Sequence, residues 1–198
     1  MTFLLVLAGI ALLLALWGIG IYNRLVALRN QVKNAWSQID VQLQRRYDLI
    51  PNLVESVKGY MNFEKGTLEA VINARNQANT ARQAVAAAGG PAEGASIKEL
   101  AASEGALRGA MMNFNALAEN YPQLKASENM KILQEELSST ENKVAFSRQA
   151  YNDQVMAYNT AQQELPASMF AATFGHSPAE LFVIDDVEAK KAVKVNFS

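Results

Sequence analysis

The side chains best placed for chemistry are acids and arginines at helical spacing. Asp40, Asp48 and Glu55 recur at intervals of eight and seven along one side of a helix, and Arg45 and Arg46 fall between them. Glu135, Glu136 and Glu141 crowd a second stretch. Three arrangements fit such a set. Charges meeting across two helices would fix their register. Several carboxylate oxygens converging on one point would bind a hard cation. A solvated face with ordinary charge pairs would do neither. Asp48 has a local alternative as well, because it precedes Pro51 and Asn52 and suits the cap of a helix restarted there.

Other chemistries fail on the residue inventory. The chain has no Cys and one His, His176, so thiolate and paired-histidine metal sites are impossible within one chain. A di-iron bundle wants Glu-x-x-His pairs on two helices, and no Glu stands three residues before His176. A hydrolytic triad would have to use His176, which lies in an apolar segment just before Ser177-Pro178. Gly89-Gly90 lacks the Lys and Ser or Thr of a phosphate loop. A hydrolase built on Asp48 and Glu136 is the remaining catalytic option. The expectation is no enzyme, no cofactor and no metal. A net charge of −1 argues against a nucleic-acid partner, which would call for a basic excess.

The elements that must hold these side chains begin with an anchor. Residues 1–23 carry no charge and are dominated by Leu, Ile, Ala and Val. Crossing a hydrocarbon core takes about 20 such residues, so Thr2 to Tyr22 is expected to span a membrane once. A cleavable signal would need a basic n-region and a small-residue cleavage site, and neither is present. Trp17 and Tyr22 suit an interfacial belt. Arg24, Arg29 and Lys33 follow before the first acid, Asp40. The positive-inside rule then puts the N-terminus outside and the body in the cytoplasm, at the inner membrane, with those three cations against anionic lipid headgroups.

The body, residues 23–166, reads as all-α. Leu25, Leu28, Val32, Trp36, Ile39, Leu43, Tyr47, Ile50, Val54, Val57 and Met61 are spaced by three or four, as one buried face requires. Val71, Arg75 and Ala78 prolong the phase until Gly89-Gly90-Pro91 stops it. The expectation is one long first helix, kinked near Pro51 and continuous or nearly so with the span. A second helix opens at Ser96, where Glu99 completes a capping-box pattern. A third runs from about Ser127 to Pro166. Three long helices then form an antiparallel up-and-down bundle. Ala101, Gly105 and Gly109 mark a small-residue stripe on the second helix, suited to a close neighbour. Tyr151-Asn152 and Tyr158-Asn159 repeat at seven, so each residue type keeps its own face.

Residues 167–198 are a different kind of segment. Phe170, Phe174 and Phe182 make it too apolar for a free tail, and Val193, Val195 and Phe197 alternate as an extended segment does. The tail is expected to dock on its own bundle or on a neighbouring subunit.

The stretch from Asn34 to Glu55, NAWSQIDVQLQRRYDLIPNLVE, resembles the signature of the LemA family. Tyr121-Pro122-Gln123-Leu124-Lys125-Ala126, Gln134-Glu135-Glu136-Leu137, Thr140-Glu141-Asn142, Tyr151-Asn152, Tyr158-Asn159 and Phe174-Gly175 continue the likeness in order. The resemblance implies a bacterial membrane protein with an N-terminal span and a helical-bundle body, of no settled biochemical activity. His176 stands where the family usually has an aromatic, and the tail from Val183 to Ser198 lies outside the pattern. The function expected is a membrane-anchored scaffold that forms homo-oligomers and organises lipid or partner proteins. The alternative is an accessory subunit of another membrane protein, such as a membrane protease.

Overall fold

The computed structural model describes residues 1–58 and 65–184. Helix α1 runs without interruption from Thr2 to Lys58, about 85 Å at 1.5 Å per residue. Its first third contains the one stretch among the described residues long and apolar enough to cross a membrane, and none of that stretch is buried against the rest of the protein. Burial starts at Leu25 and follows the anticipated stripe through Val32, Trp36, Ile39, Leu43, Tyr47, Ile50, Val54 and Val57. Pro51 lies inside the helix and does not end it.

The long first helix does not extend to Ala88. A separate helix, α2 (Lys65–Ala87), packs back along α1. Arg82 pairs with Asp40, and Arg75 reaches the carbonyl of Tyr47, so the numbering of α2 falls as that of α1 rises. The expectation of three long helices is therefore corrected to four. The apolar period survives the reversal because both arms bury one face in the same core. Met61 lies outside the described residues.

Gly89 and Gly90 then adopt positive φ angles of 83° and 86°. Gly90 lies against the indole of Trp36, where an added Cβ would sit 3.5 Å from Cδ1. A short 3₁₀ turn (Pro91–Glu93) leads to α3 (Lys98–Ala118), α4 (Pro122–Ala126) and the long α5 (Glu128–Gln163). α1 packs chiefly on α5, and α2 on α3. The result is an up-down-up-down bundle of α1, α2, α3 and α5, with no strand among the described residues. The alternating residues Val193, Val195 and Phe197 lie outside them.

After α5 the chain forms a second 3₁₀ turn, Ala167–Met169. It then runs extended from His176 to Ile184, back along α5 in the opposite direction. The described part of the tail thus docks on its own bundle. Phe182 is fully buried, whereas Phe170 and Phe174 remain exposed. The small-residue stripe receives this segment rather than a helix: Ile184 approaches Gly105, while the space at Gly109 is open.

Candidate functional site

Two constellations of polar groups stand out, one in the core and one at the end of the bundle where the apolar span emerges. In the core, Arg46 on α1 forms an ion pair with Glu104 on α3, and both side chains are almost wholly buried. The Tyr47 hydroxyl donates to the other carboxylate oxygen of Glu104. Burial works against the charge on Arg46, but Glu104 outweighs it and the guanidinium holds its proton more tightly than usual. Burial, reinforced by Glu104, pushes Tyr47 well above the ordinary phenol range, so it stays a donor. Among the described residues, Arg46 Nε has no hydrogen-bond partner. Removing one member of such a pair leaves an uncompensated buried charge.

The other charges on α1 are shared among its neighbours. Asp40 meets Arg82 of α2 at 2.7 Å, and Gln44 joins that guanidinium. Asp48 accepts from Gln44 and lies 3.8 Å from Arg75. Arg45 turns to the other side and pairs with Glu136 of α5 at 2.7 Å. Asp48 and Glu136 are thus held by different helices and are not brought together. Glu135 is exposed, and Glu141 lines a cavity of about 410 Å³ with Leu53, Met111 and Met130. Among the described residues, no three His, Cys, Asp or Glu side chains stand close enough to hold a metal ion.

The second constellation is the clamp on the tail. Asn159 exchanges two hydrogen bonds with the backbone of Ala179, at 2.9 and 3.0 Å. One coil of two turns earlier, Asn152 does the same with Phe182, at 3.3 and 2.8 Å. The spacing explains why the repeat is seven. Seven helical residues advance about 10.5 Å, and three extended residues advance about 10 Å. Two carboxamides on one helix face therefore act as rungs for an extended chain. The tyrosines beside them add Tyr151 Oη to the carbonyl of Glu180 at 2.7 Å, and Tyr158 Oη to His176 Nδ1 at 2.9 Å. Trp36 supports the clamp from below, packing on Tyr151 and Phe182.

The tail in turn holds α3. Glu180 accepts from Ser96 Oγ and from the backbone N–H of Ile97, each at 3.1 Å. The capping box expected from Ser96 and Glu99 is not used. The helix begins at Lys98, and no side chain within it makes the cap bond. A carboxylate from the far end of the chain takes that role.

Near the span, the three basic residues each meet an acid of the body. Arg24 lies 3.4 Å from Glu164, while Arg29 and Lys33 both grip Glu93. The hydrogen bond from Lys33 holds the Glu93 carboxyl below the usual range, with Arg29 adding to the effect against its partial burial. His176 is buried under Tyr158 and Tyr22. Burial, with a contribution from Arg29, lowers its pKa, so the ring is held neutral.

Sequence reasoning missed Glu104, Arg82, Glu93 and Glu180. Glu104 left a signal: it sits between Leu100 and Leu107 at spacings of four and three, on the buried stripe of its helix. An acid in that position needs a buried cation. Glu180 left none, because its partners are about eighty residues away.

The model of the LemA family matches residues 35–197. The match reaches past Val183, so the tail that the sequence reading placed outside the pattern belongs to it. The magnetosome protein MamQ of Magnetospirillum gryphiswaldense is 24% identical over 179 residues, covering 81% of this chain and 64% of that protein. The protein LemA of Metamycoplasma hominis is 28% identical over 142 residues, covering 72% of this chain and 59% of that protein. The chain spans about three-fifths of the length of these relatives.

Proposed function

This chain belongs to the LemA family, and from that premise we propose that it is a membrane-anchored, non-enzymatic scaffold that assembles with copies of itself. One observation carries the reading. α1 is a single helix from Thr2 to Lys58, uncharged as far as Asn23 and buried in the core from Leu25 onward. Span and bundle are one rod, so bundles packed side by side would also pack their spans. The N-terminus faces outward and the bundle stands in the cytoplasm at the inner membrane, with Arg24, Arg29 and Lys33 at the headgroup level. Val41 on α1 is a large apolar side chain left exposed on the body, and it supplies contact area for a second copy.

Light scattering after size exclusion in mild detergent tests this reading. The expected result is a defined oligomer that Val41→Glu dissociates. A clean monomer at high protein concentration overturns self-assembly.

A second reading, an accessory subunit of another membrane protein such as a protease, has its own support. A shallow groove between α1 and α5 is lined by Gln31, Asn34, Gln38, Ala150 and Gln154, without a charge, and such a surface suits a partner helix. Purification from native membranes separates the two readings: a scaffold returns mainly itself, and an accessory subunit returns a stoichiometric partner.

A further inference from the structure

The turn that follows α5 carries apolar side chains that the bundle does not cover. From Leu165 to Gly175 there is no charged residue. Leu165 is 81% exposed, Met169 70%, Phe170 43% and Phe174 40%. An apolar group of this kind on a small domain marks a surface that meets something other than water.

Its location identifies the partner. Ala167 and Ala171, on the inner side of the same turn, are buried against Leu25, with Ile21 and Leu28 packed around them. The ring of Phe174 meets Tyr22 edge-on at 5.3 Å, and Phe170 stacks on Phe174 at 6.2 Å. The turn therefore sits beside α1 at the level where the uncharged segment ends. Arg24 and Glu164 form a charged rim immediately on the body side. Apolar and aromatic side chains on one side of a charged rim, at the mouth of a span, match the gradient from acyl chain to headgroup.

We propose that residues 165–174 are a second membrane contact, inserted into the interfacial layer of the same bilayer that α1 crosses. Phe170, Phe174 and Tyr22 lie at the boundary between acyl chains and headgroups, and Leu165 and Met169 dip below it. The occupant is lipid, and not a second copy of the chain. The inference rests on the reading of α1 as an anchor. It adds a second point of attachment, which fixes the rotation of the bundle about the axis of its span.

The natural chain has no Cys, so single-cysteine variants of the full chain report one position each. Met169→Cys, Leu12→Cys and Phe146→Cys are labelled with an environment-sensitive dye and reconstituted in phosphatidylcholine–phosphatidylglycerol vesicles. All three native side chains are exposed within the protein, so the labels leave the core intact. The expected result has three parts. The Met169 label is shifted to the blue and loses intensity with headgroup-proximal nitroxide lipids. The Leu12 label is quenched by nitroxides deep in the acyl chains. The Phe146 label responds only to an aqueous quencher. A Met169 label that behaves like the one at Phe146, while Leu12 reports deep lipid, overturns the inference and leaves the anchor standing. A Met169 label shielded from water yet untouched by either nitroxide overturns it in favour of a protein partner. A Leu12 label open to the aqueous quencher overturns the anchor itself, and this inference with it.

Discussion

The two ends of the bundle are built on different principles. At the end where the apolar segment emerges, elements distant in sequence are tied by directed polar bonds: Glu93 to Arg29 and Lys33, Glu164 to Arg24, Glu180 to the start of α3, and two asparagines to the returning tail. The distal end presents apolar side chains to its interior, among them Val54, Val57, Leu68, Leu124 and Met130. It carries an open groove of about 620 Å³ lined by Pro51, Val54, Leu68 and Ile72 together with the charged Glu55, Lys58, Lys65 and Glu69, besides the cavity of about 410 Å³ beneath α4. Polar ties fix geometry, because each bond has one correct partner, whereas loosely filled apolar ends tolerate rearrangement. The difference implies that the polar ties specify the shape of the bundle most closely at the end where the apolar segment emerges.

The largest expected effect comes from the buried pair between the two ends. Glu104→Ala strands Arg46 in the core and should cost about 3–5 kcal/mol, read as loss of thermal stability by circular dichroism in detergent. Arg46→Met combined with Glu104→Leu should recover most of that loss. If it does not, the pair is not the coupled unit that the geometry describes.

The tail clamp comes next. Asn152→Ala or Asn159→Ala leaves a backbone N–H and C=O of the tail without partners, at about 1–3 kcal/mol each. Hydrogen exchange should quicken at the amides of Phe182 or Ala179 and leave the distal helices unchanged. Uniform quickening across the bundle would mean that the two ends unfold together, and the contrast between them would fail.

At the tip the sign reverses. Ile72→Phe enlarges a half-buried side chain beside the 620 Å³ groove, and filling it should raise stability by about 0.5–2 kcal/mol. A loss on differential scanning calorimetry would show that the distal space is needed as it stands.

The smallest effect appears only in acid. Burial lowers the folded pKa of His176 below its ordinary value of 6.5, so the unfolded tail binds the proton more readily than the docked one. The stabilisation is complete above about 6.5 and declines as pH falls toward the folded value. Protease cleavage of the tail should accelerate over that interval, and His176→Phe should abolish the dependence.

Much of this was legible in the chain itself. The uncharged segment and the seam from Leu25 to Val57 are dictated by composition and a period of three to four, and they appear where those patterns put them. The turn between α1 and α2 was harder to read because periodicity is blind to direction: a helix that reverses can bury the same phase. Asp40, Arg45, Arg46 and Asp48 do engage neighbouring helices, whereas Glu55 pairs with Lys58 of its own helix; the cross-helix partners could not be chosen from one helix of a bundle whose arrangement was unknown. The Tyr-Asn repeat was visible as a repeat. Its meaning required an extended chain beside it, and an irregular segment leaves no period in the sequence.

The uninterrupted α1 has a mechanical consequence. From Leu25 to Lys58 the helix is about 50 Å long, so a 10° change in the tilt of the span sweeps the tip through roughly 9 Å. Spans tilt to match the thickness of the bilayer around them. A thinner or thicker patch of membrane is thereby converted into a lateral displacement of a protein surface far above it. On the proposed reading of α1 as an anchor, the protein is a lever whose short arm lies in lipid.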